Sequence, residues 1–134
     1  MKIKIRLLVI LVGLICLVPL SARPTAPESK NFKWSQEFRA GDCGSDTVSV
    51  VLDSNGNGHL ASVSWTRTTH SGDYWWWSVV GQDAQKVQIW SVPYHRGPRM
   101  DDGHPSPRYH NDFDFNFPAG QFAKTAYVVL GSKC

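Results

Sequence analysis

The stretch Asp73-Tyr74-Trp75-Trp76-Trp77 constrains this chain more than any other. Side chains alternate across a β-strand, so Trp75 and Trp77 point to one face and Tyr74 and Trp76 to the other. A sheet in a small layered domain has one dry face and one wet face. A strand with large aromatics on both sides therefore needs a roof over its outer side, or it exposes a ring for binding. Val79 shares the Trp75 face and Val80 shares the Trp76 face, so the pattern itself is symmetric. Two rings on one face make the better platform. The expectation is Trp76 inside, with Trp75 and Trp77 outward.

The rest of the chain reads as an all-β domain. Phe32, Trp34 and Phe38 alternate as a first strand. Thr47 to Leu52 and His59 to Arg67 flank the turn cluster Asp53 to Gly58 and form a hairpin. Tyr74 to Val80 and Lys86 to Val92 flank Gly81-Gln82-Asp83 and form a second. Tyr109 to Phe117 and Thr125 to Leu130 complete about seven strands, with no helical periodicity. The expected fold is a single-domain antiparallel β-sandwich or compact barrel. Pro93 to Arg108 is rich in proline, glycine and charge, and reads as a long functional loop.

The N-terminus reads as a targeting segment. Lys2, Lys4 and Arg6 precede an apolar run from Leu7 to Leu20, and Ser21-Ala22 offers a small-residue end. That run is shorter than the ~20 residues of a membrane span. It fits a secretory signal peptide over residues 1–22, followed by a flexible lead (23–31) and a secreted β domain (32–134). Three of the 14 basic residues lie in the signal, which leaves 11 basic against 11 acidic residues. The mature chain has no basic footprint for nucleic acid, and no membrane association is expected after signal removal. Cys43 and Cys134 are the cysteines that remain, and in an oxidising compartment they pair. Closing a loop of roughly 90 residues stabilises by about 4–5 kcal/mol in the chain-entropy model.

Two groups of residues carry candidate chemistry. The first is the surplus of tryptophan, at 34, 65, 75, 76, 77 and 90. Flat rings stack on the apolar faces of sugars and also anchor protein contacts. The second is the strand Tyr109 to Phe117, where Phe113, Phe115 and Phe117 share the core face and His110, Asp112, Asp114 and Asn116 the other. That polar face suits sugar hydroxyls, or simply water. Asp53, Asn55 and Asn57 imitate the start of a calcium loop, but position twelve is Ser64 rather than glutamate, and an Asn-Gly turn explains them. No nucleophile-elbow Gly-x-Ser-x-Gly occurs. Neither a cofactor nor a resident metal is expected.

The chain resembles a family of small secreted, mainly bacterial proteins catalogued as a domain of unknown function. The matching pieces are Phe32-x-Trp34, Arg39-Ala40-Gly41-Asp42-Cys43, the turn Asp53 to Gly58, Gly72-Asp73 leading to Trp75, Phe113-Asp114-Phe115 and Lys133-Cys134. The resemblance implies secretion, a β-rich fold and a Cys43–Cys134 disulfide. It implies no activity.

Three functional expectations follow. The first is a non-catalytic module that binds a glycan or cell-surface polymer, with Trp75, Trp76 and Trp77 as platforms and His110, Asp112 and Asp114 as polar contacts. The second is an effector, toxin or inhibitor that binds an extracellular protein through the 93–108 loop. The third is a small metal-assisted hydrolase using His110 and Asp112.

Overall fold

The computed structural model describes residues 24–68, 72–103 and 105–134. The signal-peptide expectation for residues 1–22, and His70 and His104, lie outside the described residues. The strands are β1 (Ser29–Trp34), β2 (Phe38–Ala40), β3 (Cys43–Asp53), β4 (Asn57–Thr66), β5 (Asp73–Gln82), β6 (Gln88–Met100), β7 (Tyr109–His110), β8 (Phe113–Asn116) and β9 (Tyr127–Lys133). All pair antiparallel. The larger sheet has the order β1-β3-β4-β7, with β2 also on β3 and β8 also on β4. The smaller sheet has the order β6-β5-β9. The two sheets face each other across one core as a sandwich and do not close into a barrel.

Both hairpins form as expected. Nine strands replace the expected set of about seven because two segments divide. The first alternating segment splits into β1 and β2, which take successive stretches of β3. Between those stretches β3 bulges, and Thr47 adopts φ 53° there. The second segment splits between β7 and β8. Its register on β4 stays in step, with Val63 opposite His110 and Leu60 opposite Phe113. Between these pairs the Asp112 carboxylate accepts the Ser62 N–H at 3.1 Å, interrupting the ladder.

Two expected loops are partly strand. The lead over 23–31 is shorter than expected, because Ser29 already pairs with Asp53 and the Ser54 N–H donates to the Glu28 carbonyl at 2.9 Å. The Pro93–Arg108 loop begins instead as the second half of β6, which continues to Met100. Proline lacks the N–H a ladder needs, so it belongs on edge strands and at bulges. β6 is an edge strand of its sheet, and the register slips where Pro93 and Pro98 occur.

The core is aromatic. Trp75 and Trp77 are both 0 % exposed and Val79 lies with them. This reverses the expected orientation: Trp75 and Trp77 are inside, and Trp76 faces outward. The Trp77 ring meets Phe38 of the opposite sheet edge-on at 5.0 Å and Trp75 at 5.3 Å. Its indole N–H donates to Ser62 Oγ at 3.0 Å, and that hydroxyl donates to the Asn111 carbonyl at 3.1 Å. Trp90 stacks on Phe117 at 4.9 Å and donates to Thr125 Oγ1 at 2.9 Å. Glycine makes room for such rings. Gly44 is the strand partner of Trp65, Gly58 of Phe115 and Gly81 of Trp90, and a Cβ at any of the three would strike its partner's ring. In each pair the ring lies over the neighbouring backbone, an arrangement that rescues an otherwise weak strand glycine.

Two further ties join the layers. The Cys43–Cys134 disulfide, with Cα atoms 6.0 Å apart, links the start of β3 to the residue after β9. Lys30 Nζ, on β1, donates to the carbonyls of Phe122 at 2.7 Å and Thr125 at 2.8 Å. It thereby holds the turn between β8 and β9 against the large sheet.

Among the described residues, Trp75 Nε1 is buried without a hydrogen-bond partner, whereas Trp77 Nε1 is satisfied. Replacing either indole by a phenyl ring leaves a comparable void. Trp77→Phe also loses a hydrogen bond, while Trp75→Phe removes an unsatisfied donor. Urea unfolding should therefore find Trp77→Phe the less stable by about 1–3 kcal/mol. Equal losses would contradict the assignment of Trp77 as a polar tie between the sheets.

Candidate functional site

The outward rows of the two sheets form two different surfaces. On the small sheet, the outer row of β5 begins with Tyr74 and Trp76, both partly exposed. Trp76 stands opposite Arg96 of β6 on one side and Lys133 of β9 on the other. The Arg96 guanidinium lies 4.7 Å from the Tyr74 ring centre and 5.9 Å from that of Trp76. Lys133 Nζ lies 4.8 Å from the Trp76 ring centre and 4.6 Å from that of Tyr94. The Tyr94 hydroxyl reaches Gly131 of β9, where an added Cβ would stand 3.0 Å from it. Ring, cation, ring, cation, ring thus alternate across this face. Cations over aromatic rings are held by the ring quadrupole, which keeps Arg96 and Lys133 beside the indole. Tyr94, Tyr127 and Val129 remain about half exposed, at 45 %, 46 % and 45 %.

Trp65 also lies on an outer side, that of β4, and shows what a roofed ring looks like. It is buried over Gly44 and under Arg108, whose guanidinium is 4.0 Å from the ring centre. Arg108 is itself paired with Asp46 at 2.7 Å. Among the described residues, neither Arg96 nor Lys133 has a carboxylate within ion-pair distance.

On the large sheet the outer face is polar, with charges of both signs. His59 of β4 stands opposite Asp114 of β8, with Nδ1 2.7 Å from Oδ1. Asn116 donates to the Asn57 side-chain carbonyl at 3.0 Å. These residues and Asp53 line a shallow depression of about 430 Å3. A second depression of about 320 Å3 includes His110 and Asp112. Asp53 closes the β3–β4 turn. Its carboxylate accepts from the Asn57 side chain at 2.9 Å and from the backbone N–H groups of Asn55 at 2.8 Å and Asn57 at 3.1 Å. The Asn57 amide first, then the backbone N–H groups, hold this carboxyl below its ordinary 3.8, against the opposing effect of desolvation. Both Asp53 carboxylate oxygens thus accept within the turn, and the Asn57 side-chain oxygen accepts from Asn116.

The candidate residues therefore separate. Trp75 and Trp77 are core residues and unavailable as stacking platforms, because their face of β5 packs against the large sheet. Trp76 is on the outer face of the small sheet. His110, Asp112 and Asp114 are exposed on the outer face of the large sheet, on the other side of the sandwich. Among the described residues, the three metal-type side chains whose ligand atoms lie within 4.8 Å of one another are Cys43, Asp73 and Cys134. Both cysteines are committed to the disulfide, and Asp73 accepts the Thr66 hydroxyl at 2.6 Å. Among the described residues, His110 and Asp112 gain no third ligand of this kind. The members that sequence reasoning missed are Tyr74, Tyr94, Arg96 and Lys133. The alternation of Tyr94 and Arg96 is a strand signal, masked by the prolines at 93 and 98.

A model of a family of unknown function, DUF6294, matches residues 49–134. The match begins inside β3 and runs through β9, so it includes both hairpin partners of the small sheet. No curated protein matches. No solved structure matches. Among the described residues, no helix is long and apolar enough to cross a membrane.

The Asp53 turn has a pH signature. Its carboxyl is depressed in the folded state, so its contribution is present above the unfolded value and lost as pH falls through the lower folded one. Asp53→Ala should lower the melting temperature at about pH 7, and the gap to the wild type should close towards about pH 2. A gap that stays constant across this range would show that the carboxylate charge does not hold the turn.

Proposed function

The chain belongs to DUF6294, a family of unknown function, and we propose that it is a secreted, non-catalytic binding module that recognises a glycan or cell-surface polymer. The observation that carries this reading is the Trp76 platform: an outward indole between two cations, next to Tyr74 and Tyr94. A half-exposed, rigid aromatic surface of this kind suits the apolar C–H face of a pyranose. Phenol, guanidinium and ammonium groups at its rim supply donors for ring and hydroxyl oxygens. The platform is built on paired strands rather than on a loop, which holds the rings in place before ligand arrives. Secretion is supported by the basic start, the short apolar run and the Cys43–Cys134 bond, which needs an oxidising compartment to persist.

A second reading has one observation in its favour. Tyr94, Tyr127 and Val129 extend the same outer face as exposed apolar groups, and tyrosine anchors protein contacts. An extracellular protein is the partner in that case.

Retention on immobilised polysaccharides separates the two readings. Wild-type protein should be held by at least one neutral or acidic polysaccharide, and Trp76→Ala should weaken this about tenfold or more. The variant's circular dichroism and melting curve should stay close to those of the wild type, because Trp76 is outside the core. No retention on any polysaccharide, or retention that ignores Trp76→Ala, would overturn the carbohydrate reading.

A further inference from the structure

The cations beside Trp76 carry information about the ligand that the ring alone does not. β5, β6 and β9 together hold Arg96, Arg99 and Lys133, and Asp73 is the single acid among their residues. Asp73 is turned to Thr66, and Arg99 lies 3.6 Å from Asp101. Arg96 and Lys133 are left without a carboxylate partner among the described residues. The larger sheet is mixed, with Lys30, Lys33 and Arg39 on its strands beside Asp46, Asp53 and Asp114. The small sheet is thus locally cationic in a chain whose residues 23–134 balance at 11 basic and 11 acidic residues.

Resting on the carbohydrate reading, we infer that the ligand of the Trp76 face is an acidic polysaccharide, a polymer carrying carboxylates or sulfates on its sugar rings. Arg96 and Lys133 occupy the same register position on the two strands that flank Trp76. Their backbones are two strand spacings apart, about 10 Å. A sugar ring seated on the indole has a cation at each side, and acidic groups on it or its neighbours meet both. A neutral glycan would bury the rims of two cations and return no anion to them, which costs binding energy. An acidic chain gains charge-assisted hydrogen bonds at the same places. The two cations also set the size of the ligand. A lone small acid reaches one of them, whereas an oligomer spans both. Nucleic acid is disfavoured because two unpaired cations supply little of the phosphate neutralisation on which such binding depends.

The test compares immobilised polygalacturonate with its methyl ester, which keeps the backbone and removes the charge. Alginate and hyaluronate serve as further acidic backbones, with single-stranded DNA and phosphatidylserine vesicles as other polyanions. The wild type should bind at least one acidic polysaccharide about tenfold more tightly than the methyl ester, the value of one charge-assisted hydrogen bond. Raising salt from about 50 to about 500 mM should erase most of that preference. Arg96→Gln and Lys133→Gln should each reduce it, and Trp76→Ala should weaken acidic and neutral forms alike. If the ester is bound as well as the acid, and binding falls with Trp76→Ala but not with the glutamine variants, the charge inference fails and the carbohydrate reading survives. If only DNA or vesicles are bound, or nothing is, both fail.

Discussion

The hydrogen bond from the Trp77 indole to Ser62 is the contact on which the arrangement of this protein depends. It crosses from β5 to β4, between two sheets that meet largely through apolar side chains, and it is joined by the Thr66 hydroxyl on Asp73 and the Asn111 amide on the Trp75 carbonyl. Buried donors need partners, and the opposite sheet offers this indole one. Once Trp77 is inside, the strand's period of two also commits Trp75 and Val79 to the core, and sends Tyr74 and Trp76 to the outer face. The identity of the candidate site is therefore a consequence of a buried polar contact on the far side of the same strand.

Large rings fit between the sheets because small residues stand across from them. Gly81 beneath Trp90 and Gly58 beneath Phe115 let the rings lie over the backbone and keep the layers close. The same device acts on the outside, where Gly44 and the Arg108–Asp46 pair bury Trp65. Trp76 has cations on both sides but, among the described residues, no anion paired with them. In Trp65 the charge of the covering arginine is answered within the protein. At Trp76 it is left for something outside.

Much of the architecture is readable from pattern. The Asn-Gly turn and its flanking alternation identify the β3–β4 hairpin, and the phenylalanine row at 113, 115 and 117 identifies a core face. The continuation of β6 is not readable. Its prolines are signals for a loop, and they are tolerated only because β6 is an edge strand with bulges where they fall. Edge position is a property of the assembled sheet. The Tyr94–Arg96 alternation, two of the five residues of the candidate site, was hidden for that reason. The pairing of His59 with Asp114 likewise depends on a register between residues 55 apart in sequence.

By itself the sequence determined an all-β chain, its two hairpins, the phenylalanine core row and the cysteine pair, because local period, turn chemistry and cysteine count express themselves without knowledge of neighbours. The triple tryptophan was different. Tyr74-Trp75-Trp76-Trp77 and Val79-Val80 place equal bulk on both faces, so local pattern contains no preference. Only the tertiary structure decided it, since Ser62 and Phe38 come from the other sheet and Arg96 and Lys133 from the flanking strands. Inside or outside was set by which partners each face met.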